Sequence, residues 1–458
     1  MKQGWLLILI VLFLFSILGI IFPANFSMGD TSGIDTGDVA WMLTSTALVF
    51  LMTPGLGFFY GGMMKPKNVI STILQSFIAM GVVSILWVIV GFSLAFGRSV
   101  GPEHYGFFGN PGTFFMFRGV GGAPDAEFSA TIPLALFALF QLKFAIITPA
   151  LITGSFAGRV RFTAYLLFIS LFTLFIYCPL AHWTWHPNGF LRNWGVLDFA
   201  GGTVVHMSAG FAALAGVFFF GNRKDYNKPF YPANIPFVLL GTGLLWFGWF
   251  GFNAGSALGS STVAVKALLN TNTASAAAML AYIFFDGIKG RKPSALGAAV
   301  GAVVGLVAIT PAAGFVSVGA SIFIGATAAI VSNLMIYYFS KRGLDDTLDV
   351  FPAHGMGGIV GMLLTGVFAE DSGLITGQTH TMLFHLLALV IVAVFTFGGS
   401  YLLYWLTNKI VPMRVPSVHE DVGLDMSQHD ESLYYEDDAK LKARKEKLKN
   451  FSGDLYQR

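Results

Sequence analysis

The sequence predicts an all-α protein that crosses a membrane many times, and three observations lead there. Only 11% of the 458 residues are charged while 55% are hydrophobic, against about a quarter charged in an ordinary soluble domain. Apolar runs of about 18 to 28 residues, each long enough to cross a bilayer as a helix, recur along the whole chain. The basic residues between these runs fall almost entirely on alternate connections.

The runs lie near 5–22, 38–63, 69–97, 130–157, 162–180, 200–221, 233–255, 262–287, 294–312, 315–340, 349–369 and 381–409. The first is ambiguous. Lys2 followed by Trp5 to Phe22 reads as a secretory signal or as a retained helix. Its apolar core exceeds the usual ~7–15 residues and no small-x-small cleavage site follows, which favours retention. Residues 1–36 are therefore a signal peptide or an N-terminal helix with an outer segment. Residues 37–410 form the membrane domain, and 411–458 a tail.

Orientation follows from charge. One set of connections holds Lys65, Lys67, Arg159, Arg161, Arg223, Lys224, Lys228, Lys289, Arg291, Lys292, Lys341 and Arg342; the other holds Arg98, Arg118 and Arg192. Cytoplasmic connections carry the excess of Lys and Arg, so the first set and the C-terminal tail are expected in the cytoplasm of a multi-pass cell-membrane protein. The 98–129 connection, rich in Gly, Pro and Phe, reads as a short vestibule rather than a domain. From Val411 charges cluster, Pro412 and Pro416 stop the last span, and AKLKARKEKLKN is helical by propensity but strongly polar. That composition suits a cytosolic regulatory tail.

Two histidines stand inside the apolar, glycine-rich runs, each following an aspartate at the same spacing: Asp198 and His206 in DFAGGTVVHMSAG, Asp346 and His354 in DTLDVFPAHGMGGIVG. An ionisable ring at membrane depth usually faces a bundle interior or a permeation path. Matched settings in the fifth and tenth core spans point to two related halves. Five spans per half is odd, so the second half is inverted and the path lies at the interface near the midplane. Span one ends PGLGFFYGG and span six FGWFGFNAG, a weak echo of the same symmetry.

Other chemistry finds little support. Cys178 is the single cysteine, so there is no internal disulfide and no cysteine metal cluster. His206, His354 and Asp198 lack a third ligand at metal-site spacing. No phosphate-binding loop or nucleophile elbow occurs, so no metal, cofactor or enzymatic activity is expected. The net charge of +3 reflects topology and implies no nucleic-acid partner.

DFAGGTVVH, GWFGFNAGSA, DDTLDVFPAHG and the tail segment GLDMSQHDE together resemble the ammonium transporter family, which includes the Mep and Rh branches. The resemblance runs from about residue 36 to 435, and Trp185 with Ser256 look like the microbial Amt-type branch. It implies the ammonium transporter fold: eleven core helices as two inverted five-helix repeats plus one, with a possible extra N-terminal helix. It implies an outer recruitment site for ammonium from Phe140, Trp185 and Ser256, and a two-ring gate from Phe144 and Phe252. The pore histidines would be His206 and His354, supported by Asp198. It also implies a homotrimer with one path per subunit. The tail segment at Gly423, Leu424 and Asp425 would touch the neighbouring subunit, and P-II-type signalling proteins could dock on the cytoplasmic face.

The physical chemistry of those residues suits that role. Ammonium and potassium are close in size, and aromatic faces attract both by about 0.5–2 kcal/mol. A serine hydroxyl accepts an N–H hydrogen bond that only ammonium offers. An apolar lumen excludes a bare cation but admits neutral ammonia, a form potassium lacks. Histidine, the side chain that titrates nearest neutrality, can bond ammonia or relay its proton. Asp198 reads as a cap on the start of span five. Three departures from the family pattern stand out. Lys143 sits mid-span, where it would repel cations if it faced the path. Gly158 stands where relatives carry an acid, removing a partner for Arg159 or Arg161. Pro352 replaces a small residue near His354. Lys143 motivates an alternative, an ammonium sensor of weak transport signalling through its tail. A third reading is a channel for neutral gas.

Overall fold

The structure is a computed structural model and describes residues 2–23, 26–434 and, further on, 443–444, 446 and 448–449. Most of the AKLKARKEKLKN run therefore lies outside the described residues. The chain forms twelve long helices: α1 (Gly4–Ile21), α2 (Thr36–Met63), α3 (Pro66–Phe96), α4 (Leu134–Phe156), α5 (Phe162–Trp185), α6 (Gly202–Phe220), α7 (Ile235–Ala257), α8 (Thr262–Ile288), α9 (Ala295–Ile309), α10 (Val318–Arg342), α11 (Phe351–Phe368) and α12 (His380–Ile410). Eleven of them are long and apolar enough to span a bilayer. The exception, α9, has 15 residues, about 22 Å of helix. It lies almost wholly buried among its neighbours and so has little lipid to match.

Helix α1 buries none of its apolar span. Its run-out is tied to the 115–123 loop where Gly122 N–H donates to Ser27 O at 2.8 Å. Side chains at helix starts do local work: Asp35, Asn234, Ser261, Ser294 and Ser317 each accept a backbone N–H from the first turn of α2, α7, α8, α9 and α10. Such caps satisfy donors that a helix start leaves open.

Two features depart from a bundle of plain α-helices. The 98–133 loop carries two small antiparallel ladders, β1 (Ser99–Val100) with β2 (Phe108–Gly109), and β3 (Pro124–Asp125) with β4 (Ser129–Pro133). Four spans contain wide π-turns, at Trp87–Gly91, Thr173–Tyr177, Gly202–Met207 and Phe351–Gly355. The last two hold the histidines, in line with the habit of π-bulges to sit at functional positions.

The halves meet where α6 crosses α11. A Cβ on Gly210 would lie 2.3 Å from Gly355 Cα, and one on Gly358 would lie 3.0 Å from Gly202 O. Each of these glycines follows its own histidine by four residues and presses on the opposite helix. The contact order, 202 to 358 and 210 to 355, makes the crossing antiparallel, as inverted halves require.

The lysine- and arginine-rich ends of the helices form one face, here the basic face. Arg159 is fully buried there, with Nη1 3.2 Å from Asp345 Oδ2 and Nη2 donating to Asp345 O at 2.8 Å. Arg223 clamps the same carboxylate at 2.7–3.0 Å. The partner expected to be missing because of Gly158 is thus supplied from the α10–α11 connection. Gly158 itself adopts φ +80°, and a Cβ would meet Asn68 Nδ2 at 2.7 Å, so an acid would be strained here. The tail docks on its own chain. Asp425 accepts from Ile70 N at 3.1 Å and Ser71 N at 2.8 Å at the start of α3, and Phe162 N donates to Gln428 Oε1 at 2.8 Å.

Candidate functional site

A cavity of about 260 Å³ opens on the face opposite the basic one. Its wall includes Phe137, Gln141 and Phe144 from α4, Trp185 from α5 and Ser256 from α7. Residues 137, 141 and 144 recur at helical spacing and so share one face of α4. Phe140 does not. It is fully buried, lies edge-on behind Phe144 at 5.0 Å, and packs where a Cβ on Gly255 would come within 2.9 Å of its ring. Of the expected trio of Phe140, Trp185 and Ser256, the last two line this cavity and Phe140 does not. Trp185 and Ser256 share the cavity with Phe144, while Phe140 backs it.

Gln141 was missed in the sequence. Its Oε1 is buried without a hydrogen-bond partner while its side chain lines the cavity. The 137/141/144 spacing was the available signal. Ser256 Oγ donates to Phe252 O at 2.8 Å, which leaves its lone pairs free to accept. Trp185 is held from both sides, its Nε1–H donating to Asp198 O at 3.2 Å and its carbonyl accepting from Arg192 Nη1 at 2.6 Å.

The floor of this cavity is a pair of rings. Phe144 and Phe252 have centroids 4.2 Å apart at 33°. Beyond them lies a chamber of about 10 Å³ lined by Met52, Leu56, Ile147, Leu151, Trp249 and the two histidines, among others. That is near the smallest space that holds one water-sized molecule. His206 stacks on Trp249 at 5.3 Å and on His354 at 5.4 Å, with the two Nδ1 atoms 3.3 Å apart. His354 also lines a third space, of about 320 Å³, opening on the basic face. The order across the protein is open cavity, ring pair, small apolar chamber, open cavity.

Hydrogen bonds assign the ring protons. Thr310 donates to Leu306 O at 2.8 Å and accepts from Trp249 Nε1 at 2.9 Å. With its own hydrogen committed, it can only accept from His206 Nε2, 3.3 Å away. His206 Nδ1 is then an acceptor, His354 Nδ1 a donor, and His354 Nε2 carries a free lone pair. The assignment rests on these partners.

Asp198 faces none of these spaces. Its carboxylate accepts from Gly201 N at 2.7 Å, Gly202 N at 2.6 Å, Thr203 N at 2.7 Å and the Thr203 hydroxyl. Asp346 does the corresponding work at α11, accepting from Phe351 N at 2.7 Å. Lys143 is on the flank of α4, its Nζ 4.7 Å from the centroid of Phe50, and it lines none of the three spaces. Replacing it with methionine should change flux by less than about twofold, as for substitutions remote from a site; tracer uptake into vesicles measures this, and a large rise would place Lys143 on the path.

A polytopic helical bundle with facing cavities joined through a constricted polar pair defines a membrane transporter or channel. The chain belongs to the Ammonium Transporter Family, whose profile matches residues 40–434. It is 45% identical over 419 residues to an ammonium transporter of Aquifex aeolicus, covering 90% of this chain and 96% of that one. The crystal structure of Saccharomyces cerevisiae Mep2 superposes with a TM-score of 0.80 at 31% identity, covering 86% of this chain and 93% of that one. A solved structure described as a Sensor Amt Protein superposes with a TM-score of 0.78 at 28% identity, covering 86% and 98%. The family is one of membrane transporters and not of enzymes.

Proposed function

We propose that this protein moves ammonium selectively across a cell membrane, the cation giving its proton to the paired imidazoles, which relay it across, while the ammonia left behind crosses the twin-histidine chamber. The observation that carries this reading is the small, mostly apolar chamber itself: two phenylalanine rings 4.2 Å apart close it, and two imidazoles stand in its wall. A bare cation in so small and apolar a space loses hydration worth tens of kcal/mol in the limiting case. Neutral ammonia loses far less and can accept or donate a hydrogen bond at the ring nitrogens.

Selection begins in the cavity opposite the basic face, which the positive-inside rule places outside the cell. The basic face and the docked tail are then cytoplasmic. The Phe144 and Trp185 rings attract any monovalent cation, but Ser256 Oγ and Gln141 Oε1 are acceptors that reward N–H donors. The rings then part to admit the molecule, and His354 Nε2, the unshared lone pair of the histidine pair, meets it on the inner side. By its resemblance to the family we also propose a homotrimer, with P-II-type proteins as candidate partners at the cytoplasmic face. A sensor of weak transport has less support, since Lys143, which suggested it, lines none of the three spaces.

Electrical recording on reconstituted protein tests the proposal: ammonium should give saturable currents, and potassium at equal concentration none. Potassium currents of similar size, or no ammonium uptake above empty vesicles, would reject it. Ser256→Ala removes one acceptor. It should raise the ammonium concentration for half-maximal current about three- to tenfold, the worth of one such hydrogen bond, with little change at saturation.

A further inference from the structure

The cavity opposite the basic face is larger than ammonium needs. An ion the size of a water molecule takes up ~30 Å³, against about 260 Å³ of open space. The acceptors Ser256 and Gln141 stand within one helical turn of the Phe144–Phe252 floor and account for the inner end alone. The outer wall is aromatic and has no role so far. Phe96 and Phe128 line it, and Phe128 is braced by Phe137 at 5.6 Å and by Phe96 at 5.8 Å. Beside Phe128 is the exposed Glu127, in the turn between β3 and β4. Asp125 Oδ1 fixes that turn by accepting from Glu127 N at 2.9 Å and Phe128 N at 3.2 Å. Glu127 and Arg192 both line the cavity, yet they form no ion pair among the described residues; Arg192 Nη1 donates to Trp185 O instead.

We propose that this cavity also binds primary ammonium ions that carry a ring-sized apolar group, benzylammonium being the type, and that such ions block the protein because the floor stops them. The inference rests on the transport reading above. A primary ammonium group keeps three N–H donors, enough for Ser256 Oγ and for Gln141 Oε1, which is buried without a partner. Its apolar ring leaves water for the phenylalanine wall, and aromatic rings pair favourably there. Glu127 offsets the charge of Arg192, which alone repels a cation at this mouth. Passage is another matter. Phe144 and Phe252 stand 4.2 Å apart, and the chamber beyond them holds about 10 Å³, far too little for a benzene ring. The ion takes the place of ammonium and cannot follow it.

The test is a competition. In vesicles of known orientation, benzylammonium added with ammonium on the cavity side should raise the half-saturating ammonium concentration, leave the saturating current unchanged and carry no current itself. Glu127→Gln should weaken the block about two- to fivefold, the effect of losing one partly exposed charge, and most at low salt. Phe128→Ala should weaken it about three- to tenfold by removing ring contact, while the half-saturating concentration for ammonium alone stays within about twofold of the parent. No block at a large excess of benzylammonium, a block that excess ammonium does not relieve, equal block in the parent and both variants, or a current carried by benzylammonium overturns the proposal. Should Phe128→Ala fail to fold, the exposed Glu127 position still decides. A parent protein without ammonium current would sink the transport reading alone. Calorimetric titration of the purified parent and Glu127→Gln proteins with benzylammonium chloride would still judge this one: binding that the variant weakens supports the site, and no heat of binding in the parent removes it.

Discussion

His354→Ala should cut ammonium flux about 30- to 150-fold, the effect of roughly 2–3 kcal/mol on a rate, while the protein remains folded. The ring has two jobs that alanine cannot do. Its Nδ1–H donates to His206 Nδ1 across 3.3 Å, and its Nε2 is the lone pair left to meet ammonia at the inner side of the chamber. Without it the chamber is apolar on one wall and His206 is left with an unmet acceptor. His206→Ala should be comparably severe, since it also strips the acceptor side of Thr310 and the stacking surface of Trp249. Stability should suffer less than transport, because the hydrogen bonds each ring makes within the protein are long, at 3.3 Å. Tracer uptake into vesicles, with the oligomer checked by size, measures both. Parent-like flux and selectivity in both variants would show that the rings do not line the path.

Asp198→Ala should lose stability as well as transport. The carboxylate gathers three backbone N–H groups and one hydroxyl at the start of α6, and its own carbonyl holds the Trp185 indole. Bonds to a charged acceptor are worth about 1.5–3 kcal/mol each, so leaving these buried donors unmet should cost roughly 3 kcal/mol or more. We expect a clearly lower melting temperature and a disordered recruitment cavity. Asp198→Asn should fall between, because the amide keeps one acceptor oxygen but turns N–H toward N–H. Glutamate should not rescue, as an added methylene displaces the acceptor from all four donors. If Asp198→Ala melts like the parent yet abolishes transport, the carboxylate touches the cation directly and the capping account is wrong.

Particular residues show how far sequence reasoning reached. The paired aspartate–histidine spacing singled out the two rings that the structure brings together, because that spacing is set by one local device: a carboxylate capping the start of a helix, with the ring two turns on. The phenylalanine pair of the constriction came only from resemblance, since 46 phenylalanines carry no individual mark. Phe140 packs behind the cavity while its neighbour Gln141 lines it, because a rotation of about 100° per residue separates a packed position from one that faces a cavity. Lys143 would repel cations if it faced the path, and in the structure its Nζ lies over the Phe50 ring. Gly158 looked like a lost ion pair, which Asp345 restores from a segment far along the chain.

The spans, their alternation, the crowding of positive charge on one face and the family itself were determined by the sequence alone. Each of these depends on composition averaged over a helix length, or on short runs whose meaning does not change with surroundings. The tertiary structure decided which face of α4 turns inward, where Arg159 finds its partner and how the two imidazoles bond to each other. Those outcomes hang on the rotation and close approach of helices distant in sequence, set by contacts such as Gly210 on Gly355, and no local pattern encodes them.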